Sequence, residues 1–393
     1  MNSLNNNPMD RKLVIMSAVF LSAIGAMFYN LLPMFLGVAQ DYRELDNQSI
    51  GLLSSMFFAG YTLTTSTAFF WIRRVNWKIV TLLALIIGSM ALILAGFSRS
   101  FTVLMICIFI AGGAFSTVYG IGATALGDTG NPARWFGLKI SAEAMLGAVL
   151  LFLLPGTLIS SFGFKGMMIG MVVAVLVLAP VLSWLPETGH TGHEQEDGGA
   201  DIAPGLQVAI WIALFAVTVF LFSATMIWAF VERLASTAGF EPVLVGKVLS
   251  LTLVFAVIGS MAAVVIGDRF GSGKPLAAAT VLFLLALGLL SGTTTVTDYA
   301  IGACLLTTAI GLGITYVITI VADLDIDGRY VVLTVPAIGI GVMTAPAVGG
   351  MLTASQDYST ILMVGGGSVI LSLAAGLFAL ARGLPAVREA EKT

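Results

Sequence analysis

Charged residues are scarce in this chain of 393 residues, since Lys, Arg, Asp and Glu together make up only 10% of it. Hydrophobic residues make up 58%, and long apolar runs recur along the whole sequence. A run of about 20 residues is typical of a membrane-crossing helix, because a rise of about 1.5 Å per residue spans a hydrocarbon core of roughly 30 Å. The composition therefore excludes a soluble globular domain and predicts a polytopic helical membrane protein.

Other absences narrow the function further. The only two cysteines, Cys107 and Cys304, both lie in apolar runs, so a disulfide framework is not expected. No run of Lys and Arg indicates nucleic-acid binding, and no Gly-Lys-Ser loop indicates ATP hydrolysis. No cluster of His, Asp, Glu or Ser at one membrane depth indicates a catalytic or metal site. We expect neither an enzyme nor a cofactor.

Twelve apolar runs follow one another, and a polar, acidic segment at 187–204 divides them into six and six. The predicted domains are residues 1–186, an N-terminal six-helix bundle, and residues 205–393, a C-terminal six-helix bundle, joined by a cytoplasmic linker at 187–204. The predicted spans are 13–38, 48–71, 79–97, 101–126, 136–160, 164–185, 206–231, 243–266, 276–292, 298–321, 330–354 and 359–381.

The distribution of basic residues predicts the orientation in the membrane. With twelve spans both termini lie on one side, and that side receives thirteen of the 18 Lys and Arg residues, Lys139 among them. The opposite side receives five, which are Arg43, Arg99, Lys165, Arg233 and Lys247. We therefore expect both termini in the cytoplasm and the chain in a bacterial inner (plasma) membrane.

The two halves also show a weak internal repeat. An offset of 197 residues aligns Cys107 with Cys304, Tyr119 with Tyr316 and Asp128 with Asp325. The same offset pairs the fourth span with the tenth, which favours a repeat of the six-span unit.

The stretch "GDRFGSGK" (267–274) places three charges between the eighth and ninth spans. It resembles the signature loop of the major facilitator superfamily, roughly G-x-x-x-D-R-x-G-R-K. Asp268, Arg269, Gly271 and Lys274 match the pattern, whereas Val264 stands at its first glycine. The corresponding first-half loop, "WIRRVNWK" (71–78), keeps basic residues at Arg73 and Arg74 but lacks the Asp and the Gly of the pattern.

This resemblance implies the major facilitator fold, twelve transmembrane helices in two six-helix bundles, and transport by alternating access. "LPET" (185–188) and "GVMTAPAVGG" (341–350) are further segments similar to those of the superfamily. In such a carrier the loop charges would form a cytoplasmic gate that opens and closes in each cycle. The predicted gate residues are Arg73, Arg74, Asp268, Arg269, Gly271 and Lys274. The alternative is a positively charged loop with an ordinary helix cap.

Glu143 is the ionisable residue that lies deepest in a predicted span, about 10 Å from the start of that span at Phe136. A carboxyl group at such a depth is costly and suits reversible proton binding. The alternative is a structural ion pair with Lys139, one helical turn earlier. Both readings remain open from the sequence.

Two further pairs of charged residues lie nearer the ends of predicted spans. Glu232 and Arg233 end the seventh span and could shape an outer mouth, although an ordinary interfacial pair is an equal alternative. Asp128 and Asp325 lie at cytoplasmic span ends, where helix capping or loop pairing is expected.

In the superfamily, spans 1, 4, 7 and 10 line the substrate cavity. Polar and aromatic residues in the corresponding spans are therefore the predicted substrate-binding set, although each taken singly is more often a packing residue. No Lys or Arg lies deep in those four spans, which favours a neutral, zwitterionic, cationic or aromatic solute. The set comprises Tyr29, Asn30, Ser116, Thr117, Tyr119, Trp228, Thr315 and Tyr316.

The sequence thus predicts a monomeric secondary active transporter for a small organic solute, coupled to protons and embedded in the lipid bilayer. The alternative within the superfamily is a proton-driven multidrug efflux pump. The alternative from another class is a non-transporting membrane scaffold or a membrane enzyme.

Overall fold

A computed structural model describes residues 7–189, 204–325, 330–354 and 357–390 of the chain. In these ranges all regular structure is helical, with twelve α-helices, one π-helical turn at Pro155–Ile159 and short 3-10 segments. The α-helices are α1 (Lys12–Arg43), α2 (Asn47–Trp71), α3 (Trp77–Phe97), α4 (Phe101–Gly127), α5 (Pro132–Leu153), α6 (Ser160–Leu178), α7 (Pro204–Thr237), α8 (Pro242–Ile266), α9 (Gly273–Ser291), α10 (Val296–Leu324), α11 (Thr334–Leu352) and α12 (Ser359–Ala390).

Ten segments of the described chain are long and apolar enough to cross a membrane. One of them, Arg134–Trp184, runs through both α5 and α6, and α2 is not among the ten. The expectation of an all-α integral membrane protein is confirmed. Each of the twelve predicted spans has its main part on one α-helix, and the fifth, 136–160, also covers the π-helical turn after α5. The number of membrane crossings stays a prediction.

The turn from the fifth to the sixth predicted span is made by Gly163, whose backbone has φ 58° and ψ −134° inside an otherwise helical stretch. A side chain is disfavoured in this left-handed conformation. A Cβ atom at this position would also lie only 2.5 Å from the ring of Tyr42. Glycine is therefore required where the chain reverses between the two helices.

Polar residues between the apolar runs act as helix caps. The side chains of Asn76, Ser100 and Asn131 accept hydrogen bonds from backbone N–H groups in the first turns of α3, α4 and α5, respectively. At the other end of α3, the guanidinium of Arg43 donates to the carbonyls of Ala95, Gly96 and Ser98. These bonds satisfy backbone groups that a helix leaves unpaired at its ends.

The chain divides into two compact units. The first comprises Met1–Leu45 and Leu53–Gln195, and the second comprises Asp46–Leu52 and Glu196–Thr393. In the first unit α1 packs on α4 and α5, and in the second α7 packs on α11 and α12 while α10 packs on α8 and α9. The predicted linker, 187–204, lies outside the described residues except at its two ends.

Glycines mark the points where helix backbones cross inside each unit. A Cβ atom on any of four glycines would collide with a backbone carbonyl oxygen of the neighbouring helix. In the first unit the crossing joins α2 and α4, and in the second it joins α8 and α10. The four contacts are Gly60 with Phe109, Gly112 with Phe57, Gly259 with Thr308 and Gly311 with Ala256.

Each of the two contacts in the first unit maps onto its counterpart in the second by a shift of 199 residues. The packing of the helix pairs is therefore repeated at 199 and not at the offset of 197 that the identical residues suggested. In the packing register Tyr119 corresponds to Ile318, and Tyr316 corresponds to Thr117. Tyr119 and Tyr316 are thus not structural counterparts, because backbone contacts define equivalence more strictly than a few identical side chains do.

Candidate functional site

A buried ion pair lies in α5 of the first unit. Lys139 Nζ is 2.6 Å from Glu143 Oε1, with the two residues one helical turn apart. Lys139 is only 2% exposed, and the side chain of Glu143 is 14% exposed. Because α5 begins at Pro132, four residues before the predicted start, Glu143 lies about 17 Å along the helix. The pair is therefore near the middle of a helix that is long enough to cross the membrane.

Two tyrosines complete this group. Lys139 Nζ donates to the hydroxyl of Tyr119 on α4 at 2.7 Å and also lies 4.0 Å from the centre of the Tyr119 ring. The ring of Tyr61 on α2 lies 5.9 Å from that of Tyr119. We name Tyr61, Tyr119, Lys139 and Glu143 the α5 cluster. The Lys139 ammonium group thus donates one hydrogen bond to Tyr119 and forms an ion pair with Glu143.

Hydrogen bonds to the backbone hold the helices around the α5 cluster in place. Asn30 Nδ2 on α1 donates to the carbonyl of Glu143 at 2.9 Å. Ser116 Oγ on α4 donates to the carbonyl of Tyr61 at 2.9 Å and also contacts Thr65 Oγ1. In sequence, α2 and α4 contain no Asp, Glu, Lys or Arg at all, and α1 has none between its two ends. The charge of the α5 cluster is therefore set by Lys139 and Glu143.

Lys139 belongs to this site, although the sequence analysis named it only as a possible ion-pair partner of Glu143. It was assigned to the cytoplasmic side with the loop cations, but it lies within α5 and is buried. The sequence analysis considered only cations within spans 1, 4, 7 and 10, and Lys139 lies on the neighbouring α5, from which it contacts Tyr119 on α4. The spacing of four residues between Lys139 and Glu143 places both side chains on one helix face, and the ion pair that this spacing offered as an alternative is present.

The remaining predicted substrate-binding residues lie in varied surroundings. On α1 the ring of Tyr29 lies edge-on to Phe58 with centroids 6.1 Å apart, and on α4 Thr117 Oγ1 donates to the carbonyl of Gly113. In the second unit Trp228 is buried in α7, and Thr315 is exposed on α10. The first unit thus brings together Asn30, Tyr119 and Glu143, whereas Tyr29 and Thr117 make separate contacts.

Tyr316 is buried in the second unit, where its hydroxyl donates to the end of α8. The acceptors are the carbonyl of Gly267 at 2.9 Å and that of Ala263 at 3.3 Å. This bond joins α10 to the start of the "GDRFGSGK" loop. The placement favours a role in positioning that loop.

The predicted outer-mouth residues form a compact pair near the C-terminal end of α7. Arg233 Nε donates to Glu232 Oε2 at 2.6 Å, and Arg233 Nη2 donates to Glu232 Oε1 at 2.9 Å. Both residues are buried, at 8% and 5% exposure for Glu232 and Arg233. Two parallel bonds of this kind fix the geometry of a buried pair.

The second-half loop begins with a 3-10 turn at Gly267–Phe270, and both Gly267 and Gly271 have positive φ. Arg269 and Lys274 are exposed, while the side chain of Asp268 lies outside what the structure describes. Ser272 Oγ donates to Asp323 Oδ2 on α10. Residues 270–274 line one side of a cleft of about 670 Å³, with Asp323 and residues of α9 and α12 on the other sides.

The first-half loop is also joined to a helix end. Arg73 donates two hydrogen bonds to the carboxylate of Asp128, the cap residue of α4, while Arg74 is exposed. In the second unit Asp325 accepts bonds of 2.7 Å from the backbone N–H groups of Tyr330 and Val331. The expected roles of Asp128 in loop pairing and of Asp325 in capping are confirmed.

With this geometry in place, comparisons with known proteins identify the family. Residues 15–327 match the model of the Major Facilitator Superfamily, so the chain belongs to that superfamily. No curated protein matches the chain in sequence.

Solved transporters share the fold. A bacterial homolog of the human lysosomal transporter Spinster, in an inward-facing and unoccupied conformation, aligns with a TM-score of 0.69 and 14% identity over 98% of each chain. A mutant of the nucleoside transporter NupG aligns with a TM-score of 0.71 and 14% identity, over 94% of this chain and 100% of that one. At this identity the likeness shows the fold alone. Membership of the superfamily points to a transporter rather than to an enzyme.

Proposed function

We propose that the chain is a proton-coupled secondary active transporter that moves a small organic solute by alternating access. The proposal rests on one observation, the buried Lys139–Glu143 pair at mid-length of α5 in a chain of the Major Facilitator Superfamily. Ionisable residues at such depth are expensive to bury and mark ion or substrate pathways by default.

Glu143 is the proposed proton site. A carboxylate can take up a proton from water and release it again. Protonation removes the negative charge that is paired with the adjacent ammonium group of Lys139. Asn30 holds the backbone of α5 at Glu143, so that the carboxyl group is presented at a fixed depth. Proton coupling then follows if the protonation state of Glu143 decides which conformations are favourable.

The sequence-based orientation supports a carrier of the inner membrane with both termini in the cytoplasm. The twelve remaining cytoplasmic assignments still outnumber the five on the other side once Lys139 is removed. We keep the proposal of a monomer, in which each chain holds one α5 cluster. The efflux alternative gains no support here, because Lys139 beside Glu143 repels the cationic compounds that such a pump would bring to that carboxylate.

The test uses purified protein in vesicles that contain the pH-sensitive dye pyranine, with a panel of small organic solutes added outside. We expect at least one solute to change the internal pH with the wild-type protein. Glu143→Gln should abolish this pH change and gradient-driven accumulation, while exchange of labelled solute at equal pH on both sides continues.

The matched control is Glu241→Gln, which changes an exposed carboxylate at the start of α8 that makes no capping bond. It should behave like the wild type. Unchanged proton coupling in Glu143→Gln would contradict the assignment of Glu143, and absence of solute movement across the whole panel would contradict transport.

A further inference from the structure

We infer that the transported solute carries one carboxylate or an equivalent single negative charge, and that Lys139 binds this group when Glu143 is protonated. The inference rests on the proposed function and adds the substrate class and the rule that couples it to protons. It replaces the expectation of a neutral, zwitterionic, cationic or aromatic solute, because that expectation considered only cations within spans 1, 4, 7 and 10, whereas Lys139 lies on the neighbouring α5.

The first step concerns what protonation does to Lys139. With Glu143 ionised, the ammonium group is paired at 2.6 Å and the α5 cluster is neutral. When Glu143 takes a proton from water, its charge is lost and Lys139 becomes a buried cation that keeps the hydroxyl and ring of Tyr119 but has lost its anionic partner. An unpaired buried charge is strongly unfavourable, so the protonated cluster should attract a counter-anion.

The second step compares the charge of the whole cluster in its possible states. Empty and ionised, it holds Lys139 and Glu143 with opposite charges that sum to zero. Loaded with one proton and one monoanionic solute, it again sums to zero. The cluster with a proton alone is left with one positive charge, and the cluster with a solute alone is left with one negative charge. Only the two neutral states avoid an uncompensated charge in a low-dielectric interior.

These two neutral states define a strict symport of one proton with one monoanion. A neutral solute that entered with a proton would leave Lys139 uncompensated. A cationic solute would compete with Lys139 for Glu143 and add a second positive charge beside it. Among solutes that are carried together with one proton, charge therefore selects the monoanion.

Other groups around the cluster agree with this selection. The helices α1, α2 and α4 bring no charged side chain beside Lys139 and Glu143, and the titratable groups that they contribute are Tyr61 and Tyr119. A carboxylate has two oxygen atoms. One can accept from an N–H of Lys139, and the other can accept from a tyrosine hydroxyl, since the bond from Lys139 leaves the proton of the Tyr119 hydroxyl available to donate.

The test is a thermal-shift panel of acids, each paired with its own amide, on the purified full chain. Suitable pairs are lactate and lactamide, benzoate and benzamide, nicotinate and nicotinamide, and phenylacetate and phenylacetamide, at about pH 5.5 and about pH 8. In the wild type we expect at least one acid to bind about tenfold more tightly than its amide, and more tightly at the lower pH.

Three variants separate the parts of the mechanism. Glu143→Gln, which mimics the protonated state, should bind the same acid equally well at both pH values. Lys139→Gln should lose that binding by about tenfold or more. The matched control Lys247→Gln, which removes an exposed lysine of α8, should bind as the wild type does. If Lys139→Gln does not fold, acid binding by Glu143→Gln still tests the inference. Binding that is equal at both pH values supports it, and binding that stays tighter at the lower pH contradicts it.

A panel in which no acid stabilises the wild type more than its amide overturns the substrate class, as does acid binding that survives intact in a folded Lys139→Gln. Either result leaves the proposed transporter standing if solutes still move protons in the vesicle assay. Conversely, the chain could bind an acid and yet move neither solute nor protons. That result would support the inferred binding site and overturn the proposed function.

Discussion

Arg73 donates two parallel hydrogen bonds to the carboxylate of Asp128, Nη1 to Oδ2 at 3.0 Å and Nη2 to Oδ1 at 2.7 Å. The same bond to Asp128 raises the pKa of Arg73 above its ordinary value. The pair joins the loop after α2 to the end of α4, and Asn7 donates to the carbonyl of Asp128 at 2.8 Å. The carboxylate of Asp128 is largely buried, whereas Arg73 is half-exposed.

We predict that Arg73→Gln lowers the free energy of unfolding by only about 1 kcal/mol, because a half-exposed pair is screened by solvent. Arg74→Gln, at the exposed neighbouring arginine, is the matched control and should have no measurable effect. The measurement is thermal unfolding of the purified protein at low and high salt, where the loss in Arg73→Gln should shrink as salt rises. Equal effects of the two substitutions would show that the Asp128 pair is not stabilising.

Asp268→Asn tests the proposed gate of the second-half loop. The substitution keeps the shape of the side chain and removes its charge, so we predict normal expression with transport slowed on the order of tenfold. Solute flux in vesicles measures this, with Glu241→Gln as the control for loss of an exposed carboxylate. Wild-type flux in Asp268→Asn would leave the loop with an ordinary capping role.

Gly163→Ala should disrupt the turn between α5 and α6. The positive φ costs roughly 1–2 kcal/mol for a residue with a side chain, and the new methyl group must also displace the ring of Tyr42. Gly156→Ala, seven residues earlier in the π-helical turn, adds a methyl group to open space and is the control. Thermal unfolding of the two variants should differ clearly, and equal melting temperatures would contradict this account of the turn.

Two tyrosine-to-phenylalanine variants should separate binding from packing. Tyr119→Phe removes the hydroxyl that accepts from Lys139, so we predict weaker solute binding with the fold intact. Tyr316→Phe removes the bond to Gly267, so we predict a loss of about 1 kcal/mol in the free energy of unfolding with solute affinity unchanged. Affinity and unfolding are measured on the same preparations, and a reversed pattern would place the pocket at Tyr316.

The fold was largely predictable from the sequence because membrane helices are recognisable as long apolar runs with polar ends. The predicted fifth span ends at residue 160 and the sixth begins at 164, and Gly163 lies in the gap between them. The predicted loops contain the capping residues Asn76 and Ser100. The family also followed from a short motif, "GDRFGSGK", confirmed by the match over residues 15–327.

The candidate site was predictable only in part. Glu143 stood out because an acidic residue in an apolar run is rare, and Lys139 was noted as its possible partner. Lys139 was nevertheless counted with the cytoplasmic cations, since the start of α5 was placed at Phe136 instead of Pro132. A shift of four residues moves a lysine from the membrane surface into the interior, about 6 Å along the helix. The link between Lys139 and Tyr119 is a contact between different helices, and helical periodicity in one segment does not contain that information.

The backbone crossings of α2 with α4 and of α8 with α10 have a consequence for experiments on motion. At each crossing two glycines let main-chain atoms touch, so no flexible side chain lies between the helices to absorb a displacement. Spin labels attached to α2 and α4 on either side of Gly60 and Gly112 should therefore keep a constant separation whatever the protein is doing. The same holds for labels beside Gly259 and Gly311. These two helix pairs can serve as internal rulers, against which the displacement of any other helix is measured.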